Sequence, residues 1–155
     1  MFEQAGYVHA LEASGKESVI AITATGDFPW MMPHWENVAA RITNMALSPT
    51  GKRALVEARG DVFTIPVEKG DVRNLSQSSG SAERDPAWSA DGQWVSYFSD
   101  KSGEYKLVIE QQDGLTPPRE ITIPNPKHYY TASWSPDSKK LLYTDTDLNV
   151  WVMDI

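Results

Sequence analysis

Three short turns recur along the chain and constrain most of what it can become. Each opens on a serine that ends an apolar run: "LSPTGKR" at Ser48, "WSADGQW" at Ser89 and "WSPDSKK" at Ser135, at intervals of 41 and 46 residues. A serine hydroxyl placed there accepts from backbone N–H groups two or three residues on. Thr50, Asp91 or Asp137 follows, and Gly51 or Gly92 supplies the positive φ that closes a tight turn. In that register Leu47, Trp88 and Trp134 coincide, as do Phe63, Leu107 and Trp151, and Ile65, Ile109 and Met153. Apolar positions and turns repeat together, with a period within or just beyond the roughly 40–45 residues of a four-stranded propeller blade.

The residues between the turns alternate with a period of two. Phe63, Ile65 and Val67 share one face of "DVFTIPV", and Trp151, Met153 and Ile155 one face of "NVWVMDI". Turn clusters such as "EKGD" and "DKSG", with ten prolines and ten glycines spread along the chain, leave no room for a long helix. The expectation is an all-β chain of four-stranded antiparallel propeller blades. "QWVSYFSD" carries bulk on both faces (Trp94 and Phe98; Val95 and Tyr97), as a blade between two others requires. At the N-terminus "FEQAGYV" echoes "VEARGDV" at an offset of 54, which adds the end of a second strand, a third and a fourth. The blades are expected at about 42–84, 85–130 and 131–155, the last ending after its third strand. A ring of complete blades does not close on that count, so the reading expects an open edge and a segment of a larger protein.

Composition removes several functions. The 14 Lys and Arg against 21 Asp and Glu leave a net charge of −7, which repels nucleic acid at long range. There is no cysteine for a thiolate metal site or nucleophile, and no run of about 18 apolar residues to enter a membrane. Neither fact chooses a compartment. No G-x-S-x-G occurs, and the turn role accounts for Ser48, Ser89 and Ser135 without catalysis. His9, His34 and His128 lie far apart in sequence, outside any metal-ligand spacing; His9 aligns with Phe63 and is expected to pack in the core. "DTDLN" places Asp145, Asp147 and Asn149 at alternate positions but lacks the central Gly and distal Glu of a calcium loop, so a hairpin with local Asp and Asn bonds is expected. No catalytic residue, cofactor or metal is expected in these residues.

The phrases "GDFPWMMPHWENV", "SPTGKRALVEARGDVFT", "GDVRNL" and "YFSDKSGEYKLVIE" together resemble the propeller region of tricorn-type serine peptidases, over nearly the whole chain. The blade motif itself is shared with TolB-like and prolyl-oligopeptidase-type propellers. The tricorn resemblance implies residues 1–24 ending one propeller, a linker at 25–41, and residues 42–155 opening a second. It further implies peptide or unfolded polypeptide substrates, a homo-oligomer, and catalytic groups in downstream domains. Such proteins are cytoplasmic in the archaeal pattern, with periplasmic or secreted forms elsewhere. The linker carries Phe28, Trp30, Met31, Met32 and Trp35 and is expected to be packed as an interdomain staple, or else to form an aromatic peptide-binding patch. Glu83, Arg84 and Asp85, where the chain returns to an inner strand, are placed at the channel mouth, with Arg84 able to hold a peptide carboxylate; a salt-bridged charge cluster is the other reading. Two roles follow: a propeller that scaffolds a peptidase and gates its oligopeptides, or a TolB-like interaction module. A prolyl-oligopeptidase-type propeller is a third.

Overall fold

The computed structural model describes residues 1–4, 6–32 and 34–155, and backbone only at 131. Ala5 of the N-terminal echo and Pro33 of the linker lie outside the described residues.

Among the described residues, fourteen strands form four antiparallel sheets in chain order. The first holds β1 (Phe2–Gln4), β2 (Tyr7–Leu11) and β3 (Glu17–Val19). The second holds β4 (Ile42–Leu47), β5 (Arg53–Ala58), β6 (Asp61–Pro66) and β7 (Arg73–Asn74). The third holds β8 (Glu83–Trp88), β9 (Trp94–Ser99), β10 (Lys106–Gln111) and β11 (Arg119–Ile121). The fourth holds β12 (Tyr129–Trp134), β13 (Lys140–Asp145) and β14 (Val150–Asp154). The second, third and fourth sheets stack as propeller blades: β8 lies against β4, β5 and β6, and β12 lies against β8 and β9. The described residues make an arc of blades and no closed ring.

Among the described residues two apolar clusters hold the arc together. Leu55, Val62 and Leu75 of the second sheet meet Val95, Tyr97 and Val108 of the third. Phe98, Leu107, Ile109 and Ile123 on the opposite side of the third sheet meet Tyr129, Ala132, Leu141 and Tyr143 of the fourth. The third sheet is therefore buried on both faces, as "QWVSYFSD" suggests. The recurrent tryptophans stitch each blade to the one before: Trp88 Nε1 donates to Ala46 O at 3.3 Å, and Trp134 Nε1 to Ser96 Oγ at 2.9 Å. Leu47, in the same register, faces outward and is exposed.

Three expectations are corrected. Phe63 pairs with Val56 and Trp151 with Tyr143, but their counterpart in the third sheet is Val108, paired with Tyr97. Leu107 and Ile109 lie one residue away and face the other side, because a one-residue slip reverses every side chain. The cause is hairpin length. Arg59 and Gly60 form a two-residue turn with φ of 59° and 83°, whereas β9 and β10 are joined by residues 100–105, so one fixed period cannot serve both. His9 belongs to neither core. It stacks on Phe2 with ring centroids 5.1 Å apart, and its Nδ1 meets Glu17 Oε1 at 2.6 Å. The segment read as a linker does not pack its large apolar side chains either: Trp30, Met31, Met32 and Trp35 are exposed, while Phe28, edge-on to Trp30, and Val38 are half-buried. Glu36 anchors this segment to Arg41 and Arg59.

The first sheet meets the β9–β10 hairpin, where Gln4 Nε2 donates to Gly103 O at 2.5 Å.

Candidate functional site

The three serine turns share one hydrogen-bond plan. Each hydroxyl accepts the N–H that begins the next strand, five residues on rather than two or three: Arg53 N to Ser48 Oγ at 3.2 Å, Trp94 N to Ser89 Oγ at 2.9 Å, Lys140 N to Ser135 Oγ at 2.9 Å. Ser89 and Ser135 also donate to Asp91 and Asp137 at 2.5 and 2.6 Å, and that bond holds the Asp137 carboxyl below its ordinary range. Gly51 and Gly92 sit at φ of 68° and 70°, with Ser138 at the same place in the third turn at 57°. With every hydroxyl committed to the backbone, these serines close turns.

"DTDLN" is organised by one carboxylate. Asp145, almost fully buried, accepts from the backbone of Asp147 and Asn149, from Asn149 Nδ2 and from Trp151 Nε1, all at 2.9–3.1 Å. The Trp151 bond is the largest of the effects that pull its pKa down to about 2. A carboxyl depressed in the fold contributes stability above its unfolded value, about 3.9, and loses it as pH falls through 2. Asp145→Asn is therefore expected to flatten the acid limb between about pH 4 and 2, read as the urea midpoint at each pH. An unchanged limb would mean that ionisation of Asp145 is not linked to folding.

The opposite end of the inner strands is where chemistry collects. Each inner strand is bulged near its start, between Ile42 and Asn44 in β4, Arg84 and Ala87 in β8, and Tyr130 and Ser133 in β12. Bulges turn side chains out of the regular pleat, here at the same level in three adjacent blades. Asp85, within its bulge, has φ of 52°. Its N–H donates to Glu57 Oε2 at 2.9 Å, and Glu57 Oε1 accepts from Thr43 at 2.6 Å. Arg84 Nη1 donates to Asp85 Oδ2 at 2.7 Å while its guanidinium stacks on Tyr105, 4.4 Å from the ring centroid. His128 meets Tyr105 and Tyr130 edge to face, at 5.7 and 4.8 Å.

Burial raises the Asp85 carboxyl, opposed by Arg84 and reinforced by Glu57. Partial desolvation and then the Arg84 charge lower the His128 imidazole, against the pull of Asp85. Glu57, Arg84, Asp85, Tyr105, His128 and Tyr130, from three blades, thus surround one small polar and aromatic surface.

Of the three residues singled out in "SAERDP", Arg84 and Asp85 reach this surface and Glu83 does not. Glu83 is 1% exposed and accepts from Ser78, Ser81 and Ser99. Arg84 Nε and Nη2 are buried and have no protein acceptor among the described residues. They are not presented to solvent, so Arg84 acts here by holding Asp85 rather than as an open fork. Sequence reasoning missed Glu57, Tyr105, His128 and Tyr130 as members, and the missing signal is the bulge, which no periodicity displays. His34 lies apart, its Nδ1 3.0 Å from Met32 O. No metal-binding cluster occurs among the described residues.

No family model matches the chain. Over 95 residues it is 31% identical to dipeptidyl-peptidase 5 of Porphyromonas gingivalis, a match covering 55% of this chain and 14% of that protein. A putative TolB from Agrobacterium tumefaciens superposes with a TM-score of 0.59 at 18% identity, over 96% of this chain and 57% of that one. The tricorn protease superposes with a TM-score of 0.54 at 18% identity, over 89% of this chain and 14% of that one. Solved propellers thus share the fold, and the chain spans only part of each of these proteins.

Proposed function

We propose that this chain is the non-catalytic propeller portion of a larger serine-type peptidase, where its blades scaffold the enzyme and meet oligopeptides on their way to an active site elsewhere. The observation that carries the reading is the convergence of Asp85, Glu57, His128 and Tyr130 from three blades at one end of the inner strands. Two carboxylates beside aromatic rings suit the N–H groups, ammonium groups and apolar side chains of an extended peptide. The named peptidase activity of the Porphyromonas gingivalis relative and the superposition on tricorn protease support the class. The same reading divides the chain into residues 1–24 closing one propeller, a linker at 25–41 and residues 42–155 opening the next. In its favour, the first sheet meets the β9–β10 hairpin of the third sheet through Gln4. A TolB-like module that docks folded partners is the second reading, favoured by the 96% coverage of the Agrobacterium tumefaciens protein.

The test is direct binding of a fluorescently labelled, unstructured decapeptide to the chain by anisotropy. Saturable binding is expected, weakened about tenfold by Asp85→Asn or Arg84→Ala, a change of about 1.4 kcal/mol. With the chain folded, absence of saturable binding would defeat the gating role and leave the TolB-like reading standing.

A further inference from the structure

A second buried carboxyl lies in the same sheet as Glu83 and is held differently. Glu110, 4% exposed, pairs with Val95 in the β9–β10 ladder, and so shares the side of the third sheet that Leu55, Val62 and Leu75 of the second sheet cover. Its Oε2 accepts from the Tyr97 hydroxyl at 3.0 Å, its one hydrogen bond among the described residues, where Glu83 has three hydroxyl donors. No Lys, Arg or His lies within ion-pair distance of Glu110 among the described residues. The charged groups that act on the pair are acidic: Asp113 on Glu110, and Glu83 and Glu120 on Tyr97. An ionised carboxylate taken out of water needs donors or a cation, and this one has a single neutral donor. Burial raises the Glu110 carboxyl above its ordinary range, opposed by the Tyr97 bond and reinforced by Asp113. Burial also raises the Tyr97 phenol, with Glu110 adding to it, so Tyr97 keeps its proton and stays the donor.

The turn that ends β10 closes over this carboxyl. Gly114, at φ of 66°, donates its N–H to Gln111 O at 3.0 Å and lies against both sheets: a Cβ placed on it would stand 3.4 Å from Leu75 Cδ2 and 3.8 Å from Glu110 Oε1. Leu75 is in turn fixed to β6, its N–H on Val62 O at 2.8 Å. At this point the seam between the second and third blades consists of Leu75, Gly114 and Glu110. We propose that Glu110 is a proton-operated latch on this seam: neutral, it lets the 111–114 turn close on Leu75, and ionised, it draws in water and lifts the turn. The turn yields before the strands do. Opening it breaks the bonds at the Gly114 and Leu115 N–H groups, whereas shifting β10 breaks its ladders to β9 and β11. The latch lies wholly between two blades of this chain and does not depend on the peptidase reading.

The test follows the isotopically labelled chain by NMR from about pH 4 to 8, beside Glu110→Gln, which keeps the volume and an oxygen for Tyr97 but cannot ionise. In the parent the Glu110 carboxyl is expected to titrate above the ordinary glutamate value of about 4.3. A carboxyl raised in the fold costs stability as pH rises from its unfolded value to its folded one. The urea midpoint of the parent should therefore fall relative to Glu110→Gln across that window and then run parallel to it. Groups common to both chains cancel in the comparison. Across the same window, hydrogen exchange at the Gly114 N–H should quicken relative to the variant, while the like turn amide of Gly92, bonded to Ser89 O at 2.9 Å, keeps a constant ratio. Tyr97→Phe removes the donor and should move the Glu110 titration further up. Titration of Glu110 at or below about 4.3 in the folded chain would overturn the proposal. So would midpoints that run parallel throughout, Gly114 exchange that does not quicken or that Gly92 matches, or a Glu110 titration that stays or falls in Tyr97→Phe.

Discussion

Phe98→Ala is expected to cost about 3–5 kcal/mol, the range for a large aromatic deleted from a packed core. Phe98 has no exposed surface and lies at the junction of the third and fourth sheets. Its ring stacks on Tyr129 at 5.5 Å, meets Tyr143 edge-on at 6.3 Å, and lies under the Arg84 guanidinium at 5.8 Å. Removing it leaves a void with partners from two blades, and neither sheet can close over it without breaking its own ladder. For a chain of this length the loss corresponds to a fall in melting temperature on the order of 10 °C. The exposed Leu142→Ala should by comparison move stability by less than about 1 kcal/mol. Urea titration followed by tryptophan fluorescence checks both. If Phe98→Ala falls within about 1 kcal/mol of its parent, the two blades are not joined through this core.

Much of this architecture can be read in the sequence because its causes are local. A serine, then Asp or Thr, then Gly or, in the third turn, Ser138 makes a turn from neighbouring atoms, so Ser48, Ser89 and Ser135 mark the blades before any packing is considered. The alternation in "QWVSYFSD" likewise needs only the two-residue strand period. What escaped the sequence depended on counts and partners beyond one strand. The face of Leu107 turns on the length of the 100–105 hairpin. The exposure of Trp30 and Trp35 turns on what lies opposite them, which composition does not record. His128 joins Arg84 and Asp85 only because β12 is bulged and stacked on β8, a relation across more than forty residues.

Glu83 shows the same limit and gives the second large effect. Read as a loop charge, it suggests a channel mouth; in the fold it is the first residue of β8, its N–H bonded to Gly60 O at 2.7 Å and its carboxylate sealed from solvent. Oε1 accepts from Ser81 at 3.0 Å and Ser99 at 2.8 Å, and Oε2 from Ser78 at 2.5 Å. Three hydroxyl donors, and no Lys or Arg within ion-pair distance among the described residues, take the place of the water that the carboxylate gives up. The network ties the incoming loop to both β8 and β9, so it fixes where the third blade begins. Glu83→Ala leaves a cavity and three hydroxyls without their acceptor, at an expected cost of about 3 kcal/mol. Glu83→Gln keeps the volume and one acceptor oxygen while an amide NH2 replaces the other, so about 1 kcal/mol is expected. Glu83→Met decides what the carboxylate contributes. An apolar side chain of similar length fills the space but accepts nothing, and it should track Ala if satisfied hydrogen bonds hold the loop. Recovery of parental stability in Glu83→Met would instead assign the position to packing alone, as buried polar groups replaced by apolar ones sometimes allow.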